Sequence, residues 1–284
     1  MSVACPLSVL IPTKNEERNL DRCLDAIAGW ADEIVVVDSQ SIDATLAIAT
    51  RYGATSIQFH YEGGWPKKRQ WALDTFNWRN DWILLLDADE ILLPETKEEI
   101  AKAIHDRRYD GYWLKFQVYF LGRMLRYGGA CLWKLSLFRK GKGHYEMRFR
   151  DHDQSMCDME VHEHVVVHGE TGWLREPVRH ENLNSLDQYI AKHNEYSNWE
   201  AKMLFEGGHG EIEPSLFGNQ AQRRRFLKHK IIFVPGAPLA YFVLRYVIQL
   251  GCFDGAQGFI HSVFKAIQLF HTKAKLYEMK AGRR

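Results

Sequence analysis

The stretch Trp82-Ile-Leu-Leu-Leu-Asp-Ala-Asp-Glu90 constrains this chain more than any other. Its apolar run stops abruptly at Asp87-Ala88-Asp89. A short apolar run, bounded by polar residues and flanked by helical patterns, reads as a strand buried on both faces of a parallel sheet. Strand side chains alternate, so Asp87 and Asp89 point to one side at the carboxyl end of the strand. Open α/β sheets take their ligands there. Two carboxylates converging at such a point repel each other unless a cation or a basic ligand group sits between them. Oxygen ligation of that kind suits Mg²⁺ or Mn²⁺, and Mg²⁺ is usually held by one or two carboxylates plus substrate phosphates. An isolated Asp-x-Asp is as readily a solvated acidic loop, so the remainder of the chain has to decide.

That remainder alternates strand and helix at short intervals. Leu7 to Ile11 reads as a strand closed by Pro12, and Thr13 to Glu17 as a polar turn. A helix follows from about Glu17 to Ala28, with Leu20, Cys23, Leu24 and Ile27 at helical spacing. Glu33 to Asp38 is a second buried strand that ends in an acid. The loop Ser39 to Asp43 leads into a helix, Ala44 to Tyr52, stopped by Gly53. Ala54 to Phe59 is a third strand. Lys67 to Phe76 is a helix entered through Gly63-Gly-Trp-Pro66, and Pro94 to Ile104 is the helix after the acidic strand. Successive β-α-β units predict an α/β domain with a Rossmann-like, mainly parallel sheet flanked by helices and joined by right-handed crossovers. No G-x-G-x-x-G follows the first strand and no G-x-x-x-x-G-K-[ST] occurs, which argues against a dehydrogenase or a P-loop NTPase. A nucleotide can still be held, with Asp38 accepting from a base or ribose hydroxyl and a metal at Asp89 neutralising the diphosphate.

The second half is less regular. Tyr112 to Phe120 and Lys134 to Arg139 read as strands around the loop Leu121 to Gly129. If Val161-His-Glu-His-Val-Val-Val-His168 is extended, His162, His164 and His168 share one face, and Glu163 shares the other with valines. Partial desolvation there makes a carboxylate a better base near neutrality. A His-rich zinc site is the weaker alternative, lacking Cys and an i,i+4 pair. Leu186 to Phe205 is an amphipathic helix. Gly207-Gly-His-Gly210 and Glu213-Pro214 mark a boundary. The expected organisation is a catalytic domain over 1–206, split near 110 into nucleotide and acceptor halves, and a helical region over 207–284.

The formal net charge of +1 hides an asymmetry: from Ala221 onward twelve Lys/Arg face two acids, a net of +10, leaving −9 for the preceding residues. A basic segment with apolar and aromatic helices suggests an anchor on an anionic membrane surface. Packing of those helices on the catalytic domain is the alternative. Nucleic acid is not expected as a partner, because no nucleic-acid-binding signature accompanies the charge. The longest uncharged apolar run, Ile231 to Leu244, falls short of the roughly 20 residues that a span needs, and no secretory signal is apparent. Five scattered cysteines without a C-x-x-C fit a reducing compartment. The expected location is therefore cytoplasmic, peripheral on the inner face of the plasma membrane.

Ile11-Pro-Thr-Lys-Asn-Glu16, Val36-Val-Asp-Ser-Gln-Ser-Ile-Asp43 and Leu86-Asp-Ala-Asp-Glu90 resemble, in order and spacing, the three nucleotide-sugar-binding motifs of family 2 glycosyltransferases, which have the GT-A fold. Pro66-Lys-Lys-Arg-Gln-Trp-Ala72, Tyr119-Phe-Leu-Gly-Arg123, Val161-His-Glu163 and Phe253-Asp-Gly255 are similar to blocks of the bacterial lipopolysaccharide-core β-1,4-glucosyltransferase group. The resemblance implies an inverting transferase that takes a nucleotide-sugar donor, with UDP-hexose the expected one, and a saccharide or lipid-linked acceptor. It implies donor contacts by Pro12, Thr13, Asn15, Glu16, Asp38, Ser41, Asp43, Lys68, Asp87, Ala88 and Asp89, with Asp38 at the base. Asp89 and His180 become the metal ligands and Glu163 the catalytic base. Arg123, His193, Asn194 and Tyr196 fall on the acceptor side. Where the family has an amide this chain has Arg69. Asp43 is equally suited to capping the next helix, and a Lys-Lys-Arg run is more often a solvated face. A nucleotidyltransferase using the same carboxylate–metal site and a non-catalytic nucleotide-sugar-binding scaffold are the rival readings.

Overall fold

The computed structural model describes residues 4–148, 158, 160, 163–207, 211–212, 215–218, 222–223, 225–226 and 234–282. Its centre is one large sheet in the order β3-β2-β1-β4-β8-β6-β11-β5, with β7 pairing off β6. The strands are β1 (Cys5–Thr13), β2 (Ala31–Asp38), β3 (Thr55–Gln58), β4 (Trp82–Leu85), β5 (Glu90–Leu92), β6 (Gly111–Phe120), β7 (Arg123–Met124), β8 (Cys131–Arg139) and β11 (Thr171–Glu181). β9 (Gly143–Tyr145) and β10 (Val165–Val167) form a separate antiparallel pair. β1 to β4 are mutually parallel, as the β-α-β pattern predicts. β6 and β11 run parallel to each other, and β8 and β5 run against their neighbours. The sheet is therefore mixed, with its parallel half carrying the first three motifs.

Alternation along the central strands divides the core into two layers. Val9, Ile11, Val36 and Leu84 join one cluster with Leu20, Cys23, Leu24 and Ile27 of α1 (Leu20–Ile27). Leu10, Val35, Val37, Ile83 and Leu85 join the other, under α3 (Lys68–Thr75). The period of two in the strands and the apolar stripe in α1 are what put each residue on its side. The remaining crossover helices are α2 (Thr45–Arg51) and α4 (Pro94–Ala103).

The C-terminal helices pack on this domain. α5 (Leu186–Glu206) starts with a capping box between Ser185 and Gln188 and stops at Gly207, whose φ of 73° lies in the left-handed region that glycine tolerates. α6 (Ala237–Val243) runs into a π-helical turn, Leu244–Ile248, and α7 (Gly255–Gly282) returns along α5. Lys275 donates to the Asn194 carbonyl at 3.0 Å and to Ser197 Oγ at 2.7 Å, and Thr272 donates to Glu200 at 3.2 Å. Asp254 accepts from the backbone N–H groups of Arg126 (3.1 Å) and Tyr127 (2.9 Å), tying the turn before α7 to the loop after β7.

Among the described residues, no helix is long and apolar enough to cross a membrane. Part of the basic run from 222 to 230 is spent internally: Arg225 is buried and pairs with Glu146 at 2.5 Å. Arg224 and residues 227–230 lie outside the described residues.

Candidate active site

The loops after β1 and β2 are laced together by side chains. Asp38, fully buried at the end of β2, accepts from Thr13 Oγ1 (2.8 Å), Gln58 Nε2 (3.1 Å) and the backbone N–H and hydroxyl of Ser41 (2.8 and 2.5 Å). Burial alone would raise its pKa, but these donors outweigh burial and lower it. Asn15, at φ 56°, takes a left-handed conformation that its short polar side chain supports, and its Oδ1 accepts from Ile42 N at 2.9 Å. Ser41 Oγ accepts from Asn15 N at 2.7 Å. Asp43 accepts from the backbone N–H of Glu17 (3.1 Å) and, in an Asx turn just before the N-cap Ala44 of α2, from that of Thr45 (3.0 Å), so it leads into the helix without capping it. Asp38, Ser41 and Asp43 thus brace the loops after β1 and β2.

The two acids of the Asp-Ala-Asp turn have different partners. Arg69 and Lys134 both pair with Asp87, the latter at 3.1 Å. Burial pushes the Asp87 pKa up, and Arg69, then Lys134 and His180, override it and hold the carboxyl well below its usual range. Asp89 meets His180 and an amide instead. Its Oδ2 lies 3.5 Å from His180 Nε2 and accepts from Asn182 Nδ2 at 3.0 Å. Burial is again overridden, here by the His180 charge, and Asp89 is held at about 2. The register of β11 against β5 places His180 opposite Glu90, and Glu181 N donates to the Asp89 carbonyl at 2.9 Å. Lys134 also pairs with Glu90, whose pKa burial raises to about 6 with help from Asp87 and Asp89.

The run Lys67-Lys68-Arg69 is turned inward, not solvated: the three residues are 4%, 1% and 6% exposed. Lys68 donates to the Thr13 carbonyl at 2.8 Å and pairs with Asp158 at 3.2 Å. Arg69 donates to Asp87 and to the Glu160 carbonyl. Lys67 lies 3.1 Å from Glu163 Oε1 and 4.9 Å from the centre of the Trp199 ring. Glu163, expected to share a face with Val161, Val165 and Val167, has an ammonium group beside it, and Val161 lies outside the described residues. The strand there is confined to Val165–Val167, and His162 lies outside the described residues.

A cavity of about 890 Å³ opens at the carboxyl ends of the parallel strands. Pro12, Thr13, Asn15, Glu16, Lys68, Asp87, Ala88, Asp89 and His180 line one end of it, and His193 and Tyr196 line it further on. Asp38, Ser41, Asp43, Glu163, Arg123 and Asn194 are not part of its wall. Glu163 has a side chain 1% exposed and stands behind the wall next to His164, which lines it. Arg123 donates to the Phe253 carbonyl at 3.5 Å, and Asn194 is engaged by Lys275, so both join the C-terminal helices to the domain. The cavity also takes residues of α6 and α7, on the far side of the boundary expected near 207.

Among the described residues, no group of three or more His, Cys, Asp or Glu is arranged to hold a metal ion. Asp89 and His180 supply one carboxylate oxygen and one imidazole nitrogen on the same cavity wall. That set fits a cation which completes its shell with diphosphate oxygens and water.

Sequence reasoning missed Lys134, Asn182 and Lys192. Lys192 lines the cavity 3.9 Å from Glu16, and Asp89 and Asp87 are among the charges raising its pKa. The signal for Lys134 was available: it is a lone charge in the otherwise apolar Cys131-Leu-Trp-Lys-Leu135. Nothing local distinguishes Lys192 from any other lysine on an amphipathic helix.

A family model described as Glycosyl transferase family 2 matches residues 8–166. The lipopolysaccharide core biosynthesis glycosyltransferase LpsC of Rhizobium meliloti (strain 1021) is 32% identical, over 97% of this chain and 93% of that protein. An uncharacterized glycosyltransferase of Rickettsia bellii (strain RML369-C) is 29% identical over 96% and 86%. Among solved structures, S. aureus TarS 1-349 in complex with UDP-GlcNAc aligns with 97% of this chain and 92% of that chain, at 16% identity and a TM-score of 0.47. Glucosyl-3-phosphoglycerate synthase from Mycobacterium tuberculosis, in complex with Mn²⁺, UDP and glucosyl-3-phosphoglycerate, aligns with 41% and 44%, at 22% identity and a TM-score of 0.32.

Proposed function

The chain belongs to glycosyl transferase family 2, and we propose that it transfers a hexose from UDP to a saccharide or lipid-linked acceptor of lipopolysaccharide, inverting the anomeric centre. Membership of that family removes nucleotidyl transfer as a reading. The observation that carries the proposal is the division of labour in the Asp-Ala-Asp turn. Arg69 and Lys134 neutralise Asp87, while Asp89 is left beside His180 on the wall of a cavity large enough for a nucleotide sugar. The lipopolysaccharide acceptor is supported by the name of the Rhizobium relative, which covers nearly the whole chain.

In this reading the donor diphosphate lies against Asp89, His180, Lys68 and Lys192. Asp89 and His180 would hold Mg²⁺ or Mn²⁺, which supplies Lewis-acid stabilisation of the departing diphosphate. The acceptor hydroxyl loses its proton to Glu163 as its oxygen bonds the anomeric carbon. The bond from that carbon to the diphosphate breaks on the opposite face. Glu163 enters the reaction by exchanging its contact with Lys67 for the hydroxyl. Asp38, Ser41 and Asp43 act by holding the loops that present Thr13 and Asn15 to the nucleotide.

The proposal extends to an anionic membrane surface as partner. Leu239, Val247, Ile248, Phe253 and Phe270, all on the C-terminal helices and turns, are exposed, and apolar side chains on such helices suit the headgroup boundary. Co-sedimentation with phosphatidylserine vesicles tests this: binding is expected, and equal recovery with and without vesicles contradicts it. The transfer reading itself is tested by incubating the protein with UDP-sugars and lipopolysaccharide-core oligosaccharide and assigning the anomeric configuration of the product by NMR. A product inverted relative to the donor is expected. A retained configuration, or UDP release without a glycosylated product, contradicts it.

A further inference from the structure

The cavity continues between α5, the π-helical turn and α7, where Arg245, Lys265 and Lys192 line it together with two acids of α5, Glu195 and Glu200. Arg245 enters from the π-helical turn, a device that re-aims side chains and recurs at functional sites. It is 8% exposed, lines the cavity, and its Nε has no hydrogen-bond partner. One terminal nitrogen donates to the Tyr241 hydroxyl at 3.4 Å, and among the described residues no carboxylate forms an ion pair with it. The hydroxyl of Tyr189, on the same cavity wall, is also buried without a hydrogen-bond partner. Lys265 of α7 stands 3.2 Å from His193 Nε2. His193 Nδ1 faces the Tyr189 carbonyl at 2.9 Å, and a carbonyl only accepts. The ring proton therefore sits on Nδ1, and Nε2 accepts from the Lys265 ammonium.

The neighbouring histidines record the local field. Burial, then Lys265 and Arg245, push His261 down to about 2, and burial, then Lys265, pushes His193 down to about 3. The charges that shift these two rings most are positive: Lys265 on both, Arg245 on His261 and Lys192 on His193. A buried guanidinium with an unmet N–H and no ion-paired carboxylate is costly, and an oxyanion satisfies it with charge-assisted, often bidentate, hydrogen bonds.

We propose that this end of the cavity receives an anionic group of the acceptor, a phosphoryl or carboxylate carried on the saccharide, held by Arg245 and the Tyr189 hydroxyl with Lys265 beside them. The proposal rests on the acceptor reading above and narrows it from a saccharide to an anionic one.

The test is calorimetric titration of the full chain with glucose, glucose 6-phosphate, glucuronate and inorganic phosphate, with UDP and Mn²⁺ present. Glucose 6-phosphate and glucuronate are expected to bind, more weakly as salt rises, and glucose to give no measurable heat. Arg245→Gln should weaken glucose 6-phosphate roughly tenfold or more and leave UDP affinity unchanged. Tyr189→Phe keeps the ring stacked on His193 at 3.8 Å and removes only the hydroxyl, so it tests the site even if Arg245→Gln fails to fold; a severalfold loss is expected. Equal binding of glucose and its phosphate, or undiminished binding in both variants, overturns the proposal. Inorganic phosphate binding as tightly as the sugar phosphate overturns the acceptor assignment. If UDP fails to bind while glucose 6-phosphate still binds through Arg245, the donor reading falls and the anion site stands.

Discussion

Arg69 donates to Asp87 while the next acid of the turn, Asp89, faces His180. Two carboxylates two residues apart are thereby given separate counter-charges, and both line the cavity. Removing one partner of a buried ion pair costs about 3–5 kcal/mol. Arg69→Gln should therefore lower the melting temperature by roughly 5–15 °C and weaken UDP binding, since Asp87 is left to Lys134 alone. Thermal denaturation with UDP titration checks both. A variant that melts and binds as the wild type does contradicts the role of Arg69.

Glu163→Gln keeps size and shape and removes the basic oxygen. Transfer should fall by about 10²–10⁴-fold, the usual worth of a general base, with UDP affinity retained. Glu16 provides the comparison: it lines the cavity, and burial raises its pKa, which makes it the rival carboxylate. Loss of turnover in Glu16→Gln but not in Glu163→Gln would move the base to Glu16.

What the sequence discloses and what it hides follow from range. β4 stops at Leu85, and the acids Asp87 and Asp89 stand on a turn, where the period of two does not place them. The strand ending at Asp38 and the apolar strand before Asp87 are legible because burial on both faces is a local property. The stripe Leu20, Cys23, Leu24 and Ile27 is legible for the same reason, and all four residues are buried. The partners of the acids are not local. Arg69 lies 18 residues before Asp87, Lys134 lies 47 after it, and Asn182 lies 93 after Asp89. The inward turn of Lys67-Lys68-Arg69 depends on acids at Asp158, Glu160 and Glu163, which no helical pattern announces. Arg245 reads as one more base beside an apolar helix until the π-helical turn directs it into the cavity.

Asp254 uses both carboxylate oxygens, one for Arg126 N and one for Tyr127 N. An asparagine has a single acceptor oxygen, so Asp254→Asn leaves one of these N–H groups facing an amide. A cost of about 1–3 kcal/mol is expected. The same loop carries Gly129 and Ala130 into the cavity wall, so the acceptor KM should rise severalfold while kcat stays within about twofold. Steady-state kinetics with varied acceptor separates the two. A fall in kcat at unchanged KM would contradict a purely positional role.

Glu146 supplies a pH prediction. Burial raises its pKa, and hydrogen bonds and charge from Arg225, with backbone N–H groups of Ile212 and His164, outweigh burial and lower it. A carboxyl depressed in the folded state contributes stability that is complete above its unfolded pKa of roughly 4.3 and is lost as pH falls through the folded value. Glu146→Gln should be less stable than the wild type at pH 7, with the gap closing below about pH 4. Urea denaturation between pH 3 and 7 checks it. A gap that stays constant into acid would show that the ion pair with Arg225 is not its source.

The central claim is that Asp89 binds the donor diphosphate through a divalent cation. Calorimetric titration of UDP into the wild type and Asp89→Asn, each with Mn²⁺ and with chelator, tests it most directly. Binding by the wild type with Mn²⁺, lost with chelator and reduced at least tenfold in Asp89→Asn, is the predicted result. UDP binding that is indifferent to both the metal and the substitution would contradict it.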